Sequence, residues 1–434
     1  MEQSDTVPLT TTQPSNENSS WDVIIVGAGI AGVSAAYHLS KTAGAVKKSI
    51  LILDAGALPG EGTAPRHSGS ATMKVAPCIK MMVQIYAGSS KDMIRHHGQE
   101  GAKRYLQATK QGLEIQKTIA KEIWSDPDDL QDNLKELGSY YLGYESDQQE
   151  LKQEFETLRN LGCDDIEWCD VERLKDVTGL QSTGFTCGIY FPKDAIIDSS
   201  LYAKRLLQYS KTQYQGKECS VTTRLRCKVE TICEDTDGVQ IHLDSGDIVR
   251  GQKVVVATGA LFQLPDLNGL LMPCYSYLVH VPISTETNRD FSPNFFTWGF
   301  THDWCFTNGK VRISGEDHFS AYKPPHATER CSRLAEWTLQ QYKCSDNDWD
   351  VSSFPQQYGL YSETPDMVPL VGPIRKDSRI CYLLGCNAWG QAILSYCASL
   401  VPGVFGFDSL DERQQEILEL VSIQRFQELP ANQQ

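Results

Sequence analysis

The period of the hydrophobic pattern changes along the chain, and the changes mark its elements. Val23 to Val26 is an unbroken β-branched run, the composition of a strand buried on both faces of a parallel sheet. It runs into Gly27, Gly29 and Gly32, spaced G-x-G-x-x-G, after which VSAAYHLSK places apolar side chains at helical spacing. A second apolar run, SILILDAG, ends in Asp54. From Gly98 to about Leu180 the pattern turns helical and charged. GAKRYLQATKQGLEIQKTIAKEI and QQELKQEFETLRNLG repeat at three-to-four spacing, with LGSYYLGY between them as a strand. CGIYFPKDAIIDSSLYAKRLLQYS reads as strand, turn and a helix capped by Asp198 or Ser199. CKVETICED and VQIHLD are strands joined at Thr236-Asp237-Gly238, and KVVVATGA is a buried strand ending in the small turn of Thr258 and Gly259. From Leu261 to about Gln357 the chain is aromatic and strand-like. CYSYLVHVPIS and WCFTNGKVRISGED stand out, the latter folding on the two-residue turn Asn308-Gly309. The run ICYLLG breaks at Gly385, passes through Asn387, Ala388, Trp389 and Gly390, and resumes from Gln391 as a helix of small and apolar residues.

Strand, glycine turn and helix are the context that gives G-x-G-x-x-G a meaning. Gly27 allows the tight turn, Gly29 lets a pyrophosphate approach the backbone, and Gly32 lets helix and strand pack closely. The backbone N–H groups of Ala28, Ile30 and Ala31 and the positive end of the helix dipole then face the phosphates. Asp54, with Ala55 beside it, stands about twenty residues further on, where a carboxylate binds a ribose hydroxyl. These residues predict a bound dinucleotide. After Asp54 the loop GALPGEGTAPRHSGSATMKVAP is too long and too rich in small residues for a simple turn. Arg66, His67, Ser68 and Lys74 are its polar candidates, for a ring system, a phosphate or a substrate carboxylate; a solvated connector is the alternative. Gly385 to Gln391 repeats the strand–glycine–helix arrangement far along the chain, a second pocket of N–H groups. Tyr275, Tyr277, Trp298 and Trp304 suit either a pocket wall or core.

Composition narrows this only modestly. The chain has 434 residues, 41% hydrophobic and 22% charged, with a net charge of −15. That length accommodates two lobes. The negative balance argues against nucleic acid or an anionic membrane as the main partner, and no stretch reaches the roughly 18 apolar residues of a membrane span. The first twenty residues are polar and lack Lys and Arg, so we expect a disordered tail rather than a secretory or transit peptide. The final Ala-Asn-Gln-Gln is not the S-K-L address, and a cytoplasmic protein is the expectation. The 14 cysteines contain no C-x-x-C and the 9 histidines no H-E-x-x-H, so no metal site is expected. We assign 1–20 to a tail, 21–97, 188–262 and 358–405 to the dinucleotide lobe, 98–187 and 263–357 to a second lobe, and 406–434 to a C-terminal helix and tail.

Over about residues 21 to 405 the chain resembles the D-amino acid oxidase superfamily of FAD-dependent oxidoreductases, in the branch holding glycine oxidase, sarcosine oxidase and γ-glutamylputrescine oxidase. The resemblance is carried by VIIVGAGIAG with Asp54, VVVATGA, TNGKVRISGED, TPDMVPLVG and GCNAWGQAI. It implies an α/β fold in which a Rossmann-type, GR2-like FAD-binding domain is interleaved with a substrate domain of antiparallel sheet plus helices. It adds Val229 to the cofactor contacts and gives the backbone from Asn387 to Gln391 to the flavin ring. It further implies a small amine or amino acid substrate, hydride transfer from the carbon beside nitrogen, and oxygen or another electron acceptor. Two alternatives remain: a dehydrogenase of a hydroxy acid or amine serving a quinone or carrier protein, and a non-catalytic FAD-binding protein. There are departures from the family pattern. Asp54 stands where Glu is common. Tyr358-Gly359-Leu360-Tyr361 offers no cysteine where some members attach flavin, which implies non-covalent FAD. The strand that matches the one carrying an oxygen-assisting lysine in some members offers Lys310 and Arg312, with the register between them left open. Arg312, with Lys74 second, is the candidate clamp for a substrate carboxylate. Tyr275, Trp298, Tyr361 and Trp389 are the candidate pocket aromatics, and no catalytic base announces itself.

Overall fold

The computed structural model describes residues 20–42, 48–59, 79–178, 184–214, 219–260, 267–283, 291–307, 309–320, 326–342 and 349–426. Its centre is a parallel sheet built outward from Trp21–Val26. Lys48–Leu53 pairs with that strand on one side and Ile248–Val256 on the other. Cys219–Arg224 extends the sheet beyond the first and Ile380–Leu384 beyond the second, all in parallel register. Ile248–Val256 serves two partners on one edge: its start pairs antiparallel with Val239–Leu243 and its end parallel with Ile380–Leu384. The apolar runs are unbroken because both faces are covered. Val23, Ile25, Ile50, Ile52 and Val255 pack under the helices Ile30–Lys41 and Gly390–Val404. Ile24, Val26, Leu51, Leu53 and Val254 pack on the opposite side, against Val229, Val239, Ile241 and Ile423.

The second sheet has eight strands in the order Gln356–Glu363, Met272–Pro282, Lys310–Phe319, His302–Thr307, Asn294–Thr297, Ser139–Tyr144, Phe185–Phe191 and Glu167–Asp170. Its pairs are antiparallel except for Asn294–Thr297 with Ser139–Tyr144. Alternation divides its side chains cleanly. Tyr277, Val279, Val281, Trp304, Phe306, Val311 and Ile313 form a core with Leu334, Ala335 and Leu339 of the helix Ala327–Gln341. The intervening positions face the parallel sheet. Thr307 pairs with Lys310, the register expected of a two-residue connection, although Asn308 itself lies outside the described residues. Asp198 caps the helix Ser199–Tyr214, accepting the Leu201 N–H at 2.9 Å. The interleaving is therefore present, but two expected boundaries cut through strands. Phe185–Phe191 spans the 187/188 division and Gln356–Glu363 the 357/358 division, and both belong wholly to the second sheet. Local periodicity marks a strand but not its partner, and here the partners, Ser139–Tyr144 and Met272–Pro282, are remote. The segment from 98 likewise begins earlier, in the helix Ser90–Ile123, kinked at Gly98 where φ is 67°. That helix packs on Gly390–Val404 so closely that a Cβ on Gly112 would collide with the Ala392 carbonyl.

Asp194 ties these layers together. It is fully buried; its carboxylate accepts the Ser139 hydroxyl of the second sheet and, at 3.0 Å, the Gln84 N–H beyond the short strand Ile79–Met82. Burial pushes its carboxyl up from 3.8 to about 7, against the pull of those hydrogen bonds and of Lys117. A folded-state pKa above the unfolded value means that the folded chain holds the extra proton between those limits. The contribution to stability is thus largest at the acid end of the window and is lost as pH rises through it. Asp194→Asn keeps both contacts, with the amide donating to Ser139, and cannot ionise. We expect the drop in unfolding midpoint between pH 5 and pH 8 to shrink in this variant; a drop equal to or larger than that of the unmodified chain overturns the assignment.

Candidate active site

Because the central strands are parallel, Val26, Leu53, Val256 and Leu384 all end at one edge, the position of the ligand crevice in doubly wound sheets. A cavity of ≈ 780 Å³ lies between that edge and the inward face of the second sheet, a size ordinary for a small-molecule site. Gly27, Gly29, Ile30, Ala31, Asp54, Ala55, Val229, Thr258 and Gly259 line one end of it. The glycines divide the work as the motif requires. Gly27 has φ +107°, and a Cβ there would strike the Ala257 carbonyl; a Cβ on Gly32 would strike the Gly27 carbonyl. A Cβ on Gly29 meets no atom within 4 Å. Ala28 and Gly32 thus lie behind the cavity wall. Ala28 acts through Asp54, whose carboxylate accepts its N–H at 2.6 Å and that of Gly56 at 2.7 Å. The helix Ile30–Lys41 has no side-chain cap and no acidic residue in its first turn, so its N-terminus remains available to an anion.

The far end is formed by Gly385, Cys386, Ala388, Trp389, Gly390 and Gln391. The helix Gly390–Val404 also begins with neither a side-chain cap nor an acidic residue in its first turn. Asn387 and Ala388 are both left-handed, with φ 46° and 62°, a conformation that costs a non-glycine residue about 1–2 kcal/mol. The Asn387 side chain fixes it. Its oxygen accepts the Thr364 N–H at 2.8 Å and its nitrogen donates to the Gly385 carbonyl at 3.0 Å. Asn387 is therefore a buried strut that does not reach the cavity. Two glycine-broken crossovers, remote in sequence, face one cavity: Gly29 leaves room in which a pyrophosphate could lie, Asp54 sets a carboxylate where a ribose could bind, and the start of Gly390–Val404 could turn N–H groups to the flavin ring.

The second sheet supplies the remaining wall. Trp389 meets Phe296 and Phe300 edge-on, with centroids 4.9 and 4.8 Å apart. Arg312 is almost fully buried and donates to Asp303 at 2.6 Å, while the Ser314 hydroxyl donates to the other carboxylate oxygen. Tyr361 lines the cavity with its hydroxyl between Asp317 and Glu363. Burial, with Arg312 and Lys310 nearby, pushes His280 down to about 4, so its ring is neutral at pH 7. Other expected residues lie elsewhere. Lys310 shares the parity of Arg312 but is at the exposed hairpin end, opposite Thr307 and Pro282. Tyr275 turns away from the cavity and stacks on His318 at 6.0 Å. Trp298 donates to Glu150 at 3.2 Å and packs on Tyr141. Arg66, His67, Ser68 and Lys74 lie outside the described residues. Lys80, His280, His302, Asp303, Asp317, Glu363 and Cys386 line the cavity and were missed from sequence. Alternation along YGLYSE could have found Glu363, two positions beyond Tyr361.

The glycine geometry separates folding from binding. Gly29 has φ −73° and open space beyond it, so Gly29→Val leaves the backbone unstrained and fills the proposed pyrophosphate position. We expect it to lower flavin content at least tenfold while retaining cooperative unfolding. Gly32→Val collides with backbone and should abolish the folded protein. Full flavin absorbance in purified Gly29→Val overturns this assignment.

The model of the family described as DAO, FAD dependent oxidoreductase, matches residues 22–401. Solved structures share the fold. Glycine oxidase from Geobacillus kaustophilus superposes with a TM-score of 0.71 at 16% identity, covering 94% of this chain and 99% of that one. L-amino acid deaminase from Proteus myxofaciens gives 0.66 at 14% identity over 98% and 97% of the two chains. L-proline dehydrogenase from P. horikoshii gives 0.64 at 15% over 94% and 98%. With the family model spanning nearly the whole chain, this protein belongs to the DAO family of FAD-dependent oxidoreductases.

Proposed function

We propose that the protein oxidises the C–N bond of a small amine or amino acid, using non-covalently bound FAD and passing the electrons to oxygen. The observation that carries this reading is the single cavity joining the Gly29 crossover to the aromatic and charged wall at Trp389, Arg312 and Tyr361. The names of the neighbours, glycine oxidase, L-amino acid deaminase and L-proline dehydrogenase, support amino acids or amines as the substrate class. Bound flavin supplies the hydride acceptor. The chain supplies position and field. Residues 388–391 and the N-terminus of Gly390–Val404 hold donors toward negative charge developing on the ring. Phe296, Phe300 and Trp389 exclude water around the reacting carbon, which favours the neutral amine over its ammonium form. Arg312 is the residue that would receive a substrate carboxylate, which then competes with Asp303 for the guanidinium. One observation favours the second reading, transfer to a quinone or carrier protein: Lys310, the expected helper of oxygen, stands outside the cavity.

Anaerobic mixing of the holoenzyme with D-amino acids, N-methyl amino acids, polyamine conjugates and hydroxy acids tests the substrate class. We expect at least one amine or amino acid to bleach the flavin, and readmitted air to yield one peroxide per amine oxidised. Bleaching by hydroxy acids alone excludes C–N oxidation, and bleaching without peroxide on re-aeration favours the other acceptor. For the clamp, Arg312→Met combined with Asp303→Asn removes both charges together. The KM of carboxylate-bearing substrates should rise about tenfold or more relative to simple amines, the scale of a lost charged hydrogen bond. An equal rise for both classes removes Arg312 from that role.

A further inference from the structure

Three oxygen-bearing groups on the cavity wall share too few hydrogens. The Tyr361 hydroxyl lies 2.9 Å from an Asp317 oxygen and 3.2 Å from a Glu363 oxygen. A phenol has one hydrogen to donate. It can satisfy one carboxylate, and the other contact is favourable only when the second carboxyl is itself protonated. The backbone builds this cluster deliberately. Opposite Ser276, the strand Lys310–Phe319 carries a bulge, with Gly315 at φ +148° and Glu316 at +56°. A bulge re-aims side chains. Here Glu316 turns out to Arg330 and Arg333, while Asp317 turns in. Tyr361 and Glu363 come from the neighbouring strand Gln356–Glu363. The end of that strand is stitched to the second crossover, Asn387 N–H donating to the Ser362 carbonyl at 3.0 Å and Thr364 N–H to the Asn387 side chain at 2.8 Å. The cluster therefore sits against the end of the cavity that offers N–H groups to the flavin ring.

Among the described residues, the groups facing it are Cys274 and Ser276 from Met272–Pro282, Asp303 from His302–Thr307, and the cluster members themselves. None of these is a cation, and Asp303 is committed to Arg312. Burial first, then the neighbouring charges of Asp303 and Glu363, push Asp317 up to about 6, while Ser276 and Tyr361 pull it down. Burial raises Glu363 as well. The wall is thus a proton acceptor of usable strength near neutral pH.

We propose that Asp317, Tyr361 and Glu363 act as one proton-accepting unit, taking the proton that a substrate ammonium must lose before its carbon can release hydride. This rests on the amine reading above. The N–H bond breaks with its electron pair left on nitrogen, and the proton forms an O–H bond on Asp317. Alternatively the phenol takes it while passing its own hydrogen to Glu363. No electrons leave the substrate in this step, and the charge of the unit becomes one less negative.

The test is the pH dependence of anaerobic flavin reduction in the holoenzyme at saturating amine. The limiting rate should fall on the acid side with a midpoint near 6, where the unit is already protonated. Asp317→Asn should abolish that limb and slow reduction about a hundredfold, the usual scale of a lost general base. Glu363→Gln removes a like charge and should move the limb to lower pH. Tyr361→Phe removes a stabilising donor and should move it to higher pH. Opposed shifts are not expected of residues that merely hold the wall together, and flavin absorbance with the unfolding midpoint reports on folding. An unmoved limb in all three variants overturns the proton unit and leaves amine oxidation standing; so does a change confined to KM. A wild-type flavin that no amine reduces overturns both.

Discussion

The contact on which the molecule depends is the stacking of backbone on backbone at the first crossover. Gly32 lies against the Gly27 carbonyl, and Gly27 against that of Ala257, each closer than any side chain allows. This brings the helix Ile30–Lys41 down onto its own strand and brings the end of Ile248–Val256 alongside. Only then do the strand ends form one rim with a helix N-terminus opening onto it. Asp54 follows from the same contact, because the Ala28 N–H that fixes its carboxylate sits inside the turn. The apolar runs on either side would make a parallel sheet without the glycines. They would not make a binding edge.

The second sheet solves a different problem: it must be core on one face and chemistry on the other. Alternation does this over Met272–Pro282, over Lys310–Phe319 as far as Ser314, and over Gln356–Glu363. Val279, Val281 and Ile313 go to the core while Ser276, His280, Arg312 and Ser314 go to the cavity. Alternation alone would send Glu316 inward. The bulge reverses that and substitutes Asp317, whose neighbours are a phenol and another carboxyl instead of two surface arginines. One extra residue in one strand thus decides which acid faces the cavity.

How much of this was legible in the sequence follows from the range of each signal. The dinucleotide half rests on contacts close along the chain, strand to glycine to helix, and its turn residues are dictated by φ or by packing; Gly27, Asp54 and Gly385 declare themselves. The sheet wall is assembled from strands remote along the chain, and no local pattern says that Phe185–Phe191 pairs with Ser139–Tyr144, or Asn294–Thr297 with that same strand, rather than with the parallel sheet. Arg312 was readable as a cavity residue by parity. Its partner Asp303 was not, because that pairing exists only once the hairpin has its register. Tyr275 and Trp298 had the right chemistry for a pocket, but Tyr275 stands on the wrong parity of its strand and Trp298 lies just past the end of its own.

Side chains of this kind are poor choices for stability alone. A buried pair such as Arg312–Asp303 gives up hydration that its mutual attraction only partly returns, and apolar residues of similar volume would often serve the fold as well or better. The same is true of two carboxyls sharing one phenol. Left-handed backbone occurs there too: Phe300 and Ala388 line the cavity and Arg226, Glu316 and Asn387 stand beside residues that do, while His326 and Met367 adopt it elsewhere. Such residues persist only where surrounding structure over-determines them, as Thr364 and Gly385 do for Asn387. Costly charges and left-handed backbone that meet on one wall, where Arg312, Asp303, Asp317, Tyr361, Phe300 and Ala388 all line the cavity, are accounted for by what that cavity does.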